Sequence, residues 1–289
     1  MAWRDNERSW WWYALPLESQ AMMIEAFLEV GNDQESADLC ALWLLQQKYS
    51  QRWPTTLSTA QAIYALLLGK ANVSLAPDSV ATLSLAGVEL KPDAAEAGTG
   101  YFAKKFAPAD ITPELGNIHV KNPGNALAIG AVHWQYLQDI DKLTPSADDT
   151  PLRIKRQLFK LERPAGRRVL HPLDDTLKQG DTVVTRIEVR VDRDMDFVHL
   201  KDTRAASIEP VDVLSTYRWQ NGVGYFQSTR DTATHFFFDR LPRGAYVFEY
   251  ECFVFQTGVC SGGFSEIQCM YAPEFNAHSA SETVVSKER

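Results

Sequence analysis

The run "GVCSGG", residues 258 to 263, offers the most enzyme-like chemistry in the chain. A Cys or Ser presented by a glycine-rich turn can act as a nucleophile, provided that a base lies beside it and a third group orients that base. Neither His235 nor His278 lies in a sequence context that supplies such an arrangement. The alternative is a β-turn between two strands, with the glycines providing backbone freedom. We favour this turn, assign no catalytic residue and expect that the chain is not an enzyme.

The acidic run "DRDMD" resembles part of a calcium-binding loop, because Asp192, Asp194 and Asp196 alternate along it. A calcium loop needs glycine at its sixth position and a distal glutamate, whereas Phe197 occupies that sixth position here. The histidines lack the spacing of a zinc site, and no glycine-rich phosphate-binding motif is present. We therefore predict a solvated turn, with no metal site and no cofactor.

The four cysteines are too scattered for a zinc ribbon or a disulfide-rich scaffold. Cys252 and Cys269 lie on what we interpret as successive strands, with Cys260 near the turn between them, so a cross-strand disulfide is geometrically conceivable. We favour a simpler interpretation, in which Cys40 and the other three are small hydrophobic residues of the core.

The overall composition limits the class of protein. The chain has 289 residues, 45% of them hydrophobic, and a formal net charge of −8, so it can build two or three domains. It lacks a basic arm, which argues against a nucleic-acid partner. No apolar run is long enough to cross a membrane, and the first residues do not form a signal peptide. Because it starts in a Trp cluster, we expect a piece of a longer chain.

The first 69 residues have helical periodicity. Leu17, Ala21, Ile24 and Leu28 form one apolar stripe, which Gly31 is expected to end. A second helix should follow a capping box, and Thr56 or Ser58 should cap a third. The capping box is Asn32 with Glu35. One face of the second helix is shared by Ala37, Cys40, Leu44 and Lys48, and the inward residues of the third are Ala60, Ile63, Tyr64 and Leu67. Helices at this spacing predict the end of an antiparallel helical array of the α/α-toroid type, with further helices upstream.

After Gly69 the period changes to two, which predicts antiparallel β-sandwich domains of immunoglobulin-like size. The fold class is therefore multidomain α + β. We divide the chain into 1–69 (helices), 70–163 (a linker β domain) and 164–289 (a final sandwich), with a linker at Pro164–Gly166. Clean alternation in the final region predicts that Ile187, Val189 and Val191 share one face.

Several connected motifs resemble the C-terminal sandwich of bacterial alpha-2-macroglobulins, and the similarity of the preceding segments extends over essentially the whole chain. "WPTTLSTAQAIYALLLG" is similar to the last helices of that family's thioester-type domain, and "IKRQLFKLE" resembles its linker β domain. The motifs of the sandwich are Lys201-Asp202, Glu209-Pro210, Tyr217 to Trp219, Arg230-Asp231, Phe237-Phe238-Asp239, Leu241-Pro242 with Gly244, and Met270-Tyr271-Ala272-Pro273-Glu274-Phe275.

This resemblance implies a protease trap, in which a protease cuts a bait segment and the domains rearrange around it. In many members a thioester within a CxEQ motif then bonds to the protease. Cys40 is followed here by Ala41, Leu42 and Trp43, so a thioester, if there is one, would lie upstream. The implied partners are the upstream domains of the same protein and, through the full-length protein, target proteases. The implied location is the bacterial periplasm or cell envelope, with a signal or lipid anchor upstream.

A surface carbohydrate-binding or adhesive module is the alternative function, suggested by the sandwiches together with the aromatic run Trp10 to Tyr13. The triplet Asn72-Val73-Ser74 also fits a glycosylation site, although such triplets are frequent by chance. In the family interpretation, Pro273 makes the last strand leave its sheet, since proline cannot donate to a ladder, and residues 279–289 form a frayed tail. We also expect the helices to pack directly against the final sandwich.

Overall fold

A computed structural model of the protein describes residues 1–2, 15–70, 81–90, 101–122, 130–147, 150–173 and 176–289. The chain divides into two units, one made of Met1–Gln46 with Trp53–Val132 and the other of Gln47–Arg52 with His133–Arg289. The aromatic run at residues 10–13 and the glycosylation triplet at residues 72–74 lie outside the described residues.

Three α-helices occupy the first part of the chain: α1 (Pro16–Ala26), α2 (Gln34–Ser50) and α3 (Thr56–Lys70). The predicted apolar faces of α1 and α2 are confirmed, since their central positions are at most 7% exposed; these are Leu17, Ala21, Ile24, Ala37, Cys40 and Leu44. None of the described helices is both long and apolar enough to cross a bilayer. The closure of these helices into a toroid with upstream helices stays a prediction.

The predicted helix ends were each wrong by one or more residues. A π-helical turn (Phe27–Gly31) follows α1, and Asn32, not Gly31, takes the left-handed conformation at its end (φ 47°). The carboxylate of Asp33, rather than a capping box at Asn32, accepts a hydrogen bond from the Ser36 amide at 3.0 Å. Both asparagine and aspartate occur as helix N-caps, and asparagine also ends helices in the left-handed conformation. Residue spacing alone therefore assigned the N-cap to the wrong residue.

The predicted inward face of α3 was also wrong. Ile63, Tyr64 and Leu67 are 47%, 54% and 63% exposed, whereas Ala62 and Ala65 are fully buried. The helix is apolar on several sides, so its periodicity does not fix which side is buried. The smaller residues face inward because they let α3 approach α1 closely. Its N-terminal cap is Thr55, whose hydroxyl accepts the Ser58 amide at 3.0 Å, rather than Thr56 or Ser58.

A small antiparallel sheet follows the helices, with the order β2-β1-β3. Its strands are β1 (Thr82–Leu85), β2 (Val88–Glu89) and β3 (Ile118–Lys121). Ala86 and Gly87 join the first two strands with φ angles of 51° and 78°, as a two-residue type I′ hairpin requires. The period of two that begins after Gly69 continues through "ALAIGAVHWQY" and predicts a strand there, but none is present in the described part of that segment, residues 130–136.

The remaining strands form the sandwich. Its six-stranded sheet has the order β10-β11-β12-β8-β15-β16, its five-stranded sheet β5-β4-β7-β13-β9, and a small third sheet β14-β17-β6. The bounds are β4 Leu152–Glu162, β5 Val169–Pro172, β6 Leu177–Lys178, β7 Thr182–Val191, β8 Met195–Thr203, β9 Ile208–Pro210, β10 Thr216–Gln220, β11 Val223–Thr229, β12 Ala233–Leu241, β13 Gly244–Val254, β14 Gly258–Ser261, β15 Ser265–Cys269, β16 Ala272–His278 and β17 Thr283–Lys287.

The core of the sandwich lies between these sheets and follows the predicted alternation. Ile187, Val189 and Val191 are all buried, and Phe236 and Phe248 belong to the same core cluster. A sheet with one face on the core and the other in solvent has this alternation of apolar and polar residues.

The sandwich begins before the predicted linker at Pro164–Gly166. Strand β4 pairs with β7 from Leu152 to Leu161, and the linker residues form a short 3-10 turn between β4 and β5 within one sheet. The boundary placed at residue 164 therefore differs from the observed sheet. The separation of 1–69 from 70–163 stays a prediction.

The C-terminal segment is ordered as strands, which corrects two expectations. Pro273 lies inside β16, at a register irregularity between Gln268 and Cys269 where the β15–β16 ladder skips residues, so its missing amide proton costs no ladder hydrogen bond. The expected frayed tail contains β17, which pairs with β14 and β6. Val284 in β17 is fully buried, and this burial is what orders the segment.

Candidate functional site

A strained residue marks the surface at the start of β8. Phe197 has a φ angle of 56°, which is unusual for a bulky side chain and costs about 1–3 kcal/mol. The β8–β12 ladder is interrupted here, between the pairs Asp196–Arg240 and Val198–Phe238. A strained backbone that is kept at the surface is a reason to look for function at that point.

Around Phe197 the chain exposes an aromatic side chain beside a cation. Tyr271 is 80% exposed and meets the Phe197 ring edge-on, with the centroids 5.1 Å apart. The Arg52 guanidinium carbon lies 5.4 Å from the Phe197 centroid, and the Arg52 amide donates to Oδ2 of the buried Asp196 at 3.0 Å. We call Arg52, Asp196, Phe197 and Tyr271 the Phe197 surface.

A buried polar network lies deeper in the sandwich, centred on Asp202. Arg156 Nε donates to Asp202 Oδ1 at 2.7 Å and Ser265 Oγ donates to the same oxygen at 2.5 Å. The Tyr250 hydroxyl donates to the other carboxylate oxygen. These four residues, called the Asp202 network below, connect the two large sheets, because Asp202 and Ser265 belong to one sheet and Arg156 and Tyr250 to the other.

Burial controls the ionisation of this network. It raises the pKa of Tyr250 well above its usual value, and the charge of Asp202 raises it further. Burial alone would lower the pKa of Arg156, but the nearby negative charge of Asp202 reverses that effect, so the pKa ends above its usual value. The tyrosine therefore stays a neutral donor and the arginine stays a cation. Such an arrangement fixes how the two sheets face each other.

The candidate nucleophile, Cys260, lies in a strand rather than a turn. It is half-buried and pairs with Val284 in the β14–β17 ladder, so the predicted hairpin turn over residues 258–263 was wrong. The two histidines considered as bases have other contacts: His235 Nδ1 lies 2.9 Å from His199 Nε2, and His278 Nδ1 lies 3.3 Å from the Ser279 carbonyl oxygen.

The glycines beside Cys260 are required by close packing. A Cβ atom on Gly262 would lie 2.4 Å from the Glu282 carbonyl oxygen, and one on Gly263 would lie 2.0 Å from the Thr203 carbonyl oxygen. Both distances are far shorter than a van der Waals contact allows. The run "GVCSGG" is thus explained by backbone packing.

The three aspartates of "DRDMD" each face a different partner. Asp192 pairs with Arg193 at 2.8 Å, and this hydrogen bond lowers its pKa. Asp194 pairs with Arg240 at 2.5 Å, while Asp196 belongs to the Phe197 surface. Among the described residues, no group of three or more His, Cys, Asp or Glu side chains is arranged to hold a metal ion.

All four cysteines are free, so the conceivable disulfide between Cys252 and Cys269 is absent. Burial raises the pKa of Cys252 to about 12 and also raises that of Cys269. Thiols in such surroundings are poor nucleophiles.

Sequence reasoning missed both the Asp202 network and the Phe197 surface. A signal for the first was present, because Val198, Leu200 and Asp202 alternate along one strand and Asp202 therefore falls on its apolar face. A carboxylate on the core side of a strand predicts a buried partner. No sequence signal marked Phe197, because its conformation depends on an interruption between two paired strands.

Comparison with known proteins finds a family model that is similar to most of the sandwich. Residues 152–274 match the family model described as the bacterial alpha-2-macroglobulin MG10 domain. The chain is similar to bacterial alpha-2-macroglobulins. This confirms the predicted resemblance, and both the Asp202 network and most of the Phe197 surface lie within the matched MG10 residues.

Relatives and solved structures with this similarity are much longer than the chain. An alpha-2-macroglobulin homolog of Nostoc sp. is 25% identical over 298 residues, covering 97% of this chain and 15% of the homolog. Escherichia coli alpha-2-macroglobulin activated by porcine elastase is 19% identical, covering 94% of this chain and 24% of that chain, with a TM-score of 0.46. The native E. coli protein from domain MG7 to the C-terminus is 14% identical, covering 98% and 44%, with a TM-score of 0.42.

Proposed function

We propose that this chain supplies a non-catalytic part of a bacterial alpha-2-macroglobulin-type inhibitor that traps endopeptidases after cleavage of a bait segment. The match of residues 152–274 to the MG10 family model carries the proposal. The bait, any thioester and any targeting signal would lie in upstream domains, and the assembled protein would act in the bacterial periplasm or cell envelope.

The geometry of the sandwich supports a structural role within such an inhibitor. Cys260 is held in a strand ladder, and burial keeps the Tyr250 hydroxyl of the Asp202 network a neutral donor, because it raises the pKa of Tyr250 well above its usual value. The Phe197 surface instead offers an exposed tyrosine and an arginine, which are residue types that favour protein contacts. We propose that the sandwich contributes packing surfaces to the trap.

Trapping can be separated from active-site inhibition by the size of the substrate. A protease enclosed by a trap loses access to a large protein substrate but still cleaves a small peptide, whereas a blocked active site cleaves neither. The full-length parent protein should therefore slow the cleavage of casein by several unrelated proteases and leave a short chromogenic peptide accessible. The 289-residue chain alone should slow neither.

Three results would overturn the proposal. Stoichiometric inhibition by the 289-residue chain alone would assign it an activity of its own. Loss of any such activity in Cys260→Ala would place a nucleophile in the strand β14. Equal protection of the large and the small substrate by the parent would replace trapping with active-site blockade.

A further inference from the structure

Two arginines lie side by side on the outer face of the five-stranded sheet. Arg153 on β4 is the direct cross-strand partner of Arg190 on β7, and both side chains are exposed. Within the described part of the chain, neither guanidinium has a carboxylate within ion-pair distance. Like charges directly opposite each other destabilise a sheet, so this pair costs stability that a purely structural surface need not lose.

Further basic residues surround this pair. Arg243 immediately precedes β13, whose Gly244 pairs with Val191 next to Arg190, and Lys155 follows Arg153 on the same face of β4. We define the basic patch as Arg153, Lys155, Arg190, Arg193 and Arg243. The acidic residues among them are Glu188, Asp192 and Asp194. Asp192 pairs with Arg193, whereas Asp194 pairs with Arg240 and accepts a hydrogen bond from the Arg243 amide.

Beside the basic patch, strand β13 has small or partly exposed residues and an edge with few strand partners. Ala245 lies across from Arg190 on β13, and Val247, two residues further, is 39% exposed. Strand β9 pairs with β13 only at Cys252–Val254, so the segment Gly244–Tyr250 has one strand neighbour, β7, among the described strands. The Asn221 side chain reaches this edge at the Val247 carbonyl oxygen. An extended chain can add to a strand edge of this kind, and Arg153 and Arg190 of the basic patch lie on the two strands beyond β13 in the same sheet.

We propose that the basic patch binds an extended acidic segment of a polypeptide. Charge complementarity is the main argument: the patch has an excess of positive charge on a chain whose net charge is −8. Four of its five basic residues are arginines, whose planar guanidinium groups can bind carboxylates through two parallel hydrogen bonds.

The same charges disfavour larger polyanions. Beyond a Debye length of roughly 8 Å, a nucleic acid or an anionic membrane experiences the negative charge of the whole chain as well as the patch. A short acidic segment that lies within the patch interacts mainly with its arginines. This inference does not depend on the protease-trap proposal, because it concerns a surface charge and not the origin of the chain.

The test uses a fluorescent peptide rich in glutamate and a matched peptide with glutamine in place of every glutamate. Each is titrated with the 289-residue chain, and binding is followed by fluorescence anisotropy. We expect the acidic peptide to bind and the glutamine peptide not to bind. The affinity should fall by about tenfold between low and physiological salt, because exposed charges are screened.

Charge-matched variants locate the binding surface. The double variant Arg153→Gln/Arg190→Gln should weaken binding of the acidic peptide by about tenfold or more. The control Arg163→Gln/Arg168→Gln removes the same charge from arginines that already pair with Glu251 and Glu249 at 2.8 and 2.9 Å, and should change affinity less than roughly twofold. The variant Arg153→Lys/Arg190→Lys keeps the charge but not the planar guanidinium groups, so its affinity for the acidic peptide should lie between those of the other two variants.

The proposal is overturned if the two peptides bind alike, or if the control variant loses as much affinity as the double variant. Tighter binding of a heparin oligosaccharide or of anionic vesicles through the same arginines would also overturn it, since the partner would then belong to another class. Thermal unfolding of every variant, compared with the unaltered chain, separates lost binding from lost folding.

Discussion

Arg156 and Asp202 form an ion pair across the two sheets of the sandwich, with Nε and Oδ1 2.7 Å apart and the side chains only 1% and 0% exposed. Because removing two charges from water is costly, such a pair adds little net stability compared with well-packed apolar residues. Removing one partner is different, since it leaves an uncompensated buried charge. The Asp202 network therefore acts mainly to specify how β4 and β8 face each other.

Asp202→Asn should lower the free energy of unfolding by about 3–5 kcal/mol, because it leaves the Arg156 guanidinium without its counter-ion. Urea unfolding followed by circular dichroism measures this change. Asp212→Asn is the matched control, because Asp212 pairs with Arg218 but its side chain is 51% exposed, and it should cost less than about 1 kcal/mol. Similar losses in the two variants would mean that the buried pair has no special energetic role.

Gly263→Ala should be among the most damaging small substitutions in the chain. Gly263 has a φ angle of 73°, and its new Cβ would lie 2.0 Å from the Thr203 carbonyl oxygen, which is backbone and cannot rotate away. Gly222 has nearly the same φ angle, 76°, with nothing within 4 Å. Gly222→Ala should therefore cost only the left-handed strain, about 1–2 kcal/mol, whereas Gly263→Ala should cost more than about 3 kcal/mol. Equal losses in urea unfolding would show that the β14–β15 connection can move aside.

The sequence predicted best where one face of an element is clearly apolar. In β7 the residues Ile187 and Val189 alternate with Arg186 and Glu188, and the observed burial follows. In α3 large apolar residues occur on several sides, so periodicity did not fix which face is buried. The Asp202 network was missed because ion pairing between residues distant in sequence, such as Arg156 and Asp202, depends on how two sheets are superposed.

The C-terminal strands illustrate a second limit. Pro273 and the polar residues after it indicated an end of regular structure, yet β16 and β17 both follow. Local propensity was overridden by tertiary contacts, because the ladder skips residues around Pro273 and Val284 enters the core. The pairing of β17 with β14 joins residues that are distant in sequence, so a local sequence pattern does not predict it.

The histidine pair on the outer face of the six-stranded sheet should make stability depend on pH. His199 Nε2 and His235 Nδ1 lie 2.9 Å apart, and the Phe237 ring stacks on His199 with centroids 4.6 Å apart. Burial lowers the pKa of both imidazoles below 6.5. The charged or titratable groups around His199 are His235, Lys201 and Glu266, and those around His235 are Lys201, Glu266, Arg230 and Arg204.

Since the folded-state pKa values lie below the unfolded value, the folded chain binds fewer protons. The stability that the two neutral histidines contribute is therefore fully present above the unfolded pKa of 6.5. It is lost as the pH falls through their lowered folded-state pKa values. Melting temperatures between pH 8 and pH 5 should fall less steeply for His235→Gln than for the unaltered chain. His119→Gln, which alters an exposed histidine of β3, should leave the slope unchanged. An unchanged slope in His235→Gln would contradict the assignment.

Glu282 should weaken the fold at neutral pH through its charge. It lies just before β17, where its carbonyl oxygen accepts the Gly262 amide at 2.5 Å, and burial raises the pKa of its carboxyl group although the charge of Arg156 opposes this. A raised folded-state pKa means that the folded chain holds the proton more tightly than the unfolded chain. The stability that protonated Glu282 contributes is thus present below the unfolded pKa of the carboxyl group, and it is lost as the pH rises through the folded-state pKa.

Glu282→Gln keeps the shape of the side chain and removes this charge, so it should raise the melting temperature at pH 7 and have a smaller effect at pH 4. The control Glu288→Gln removes an exposed carboxylate from the same C-terminal segment and should leave the melting temperature nearly unchanged at both pH values. If Glu282→Gln instead lowers stability at pH 7, then attraction between the Glu282 carboxylate and Arg156 outweighs the cost of burying it. That carboxylate would then belong to the Asp202 network as a stabilising member.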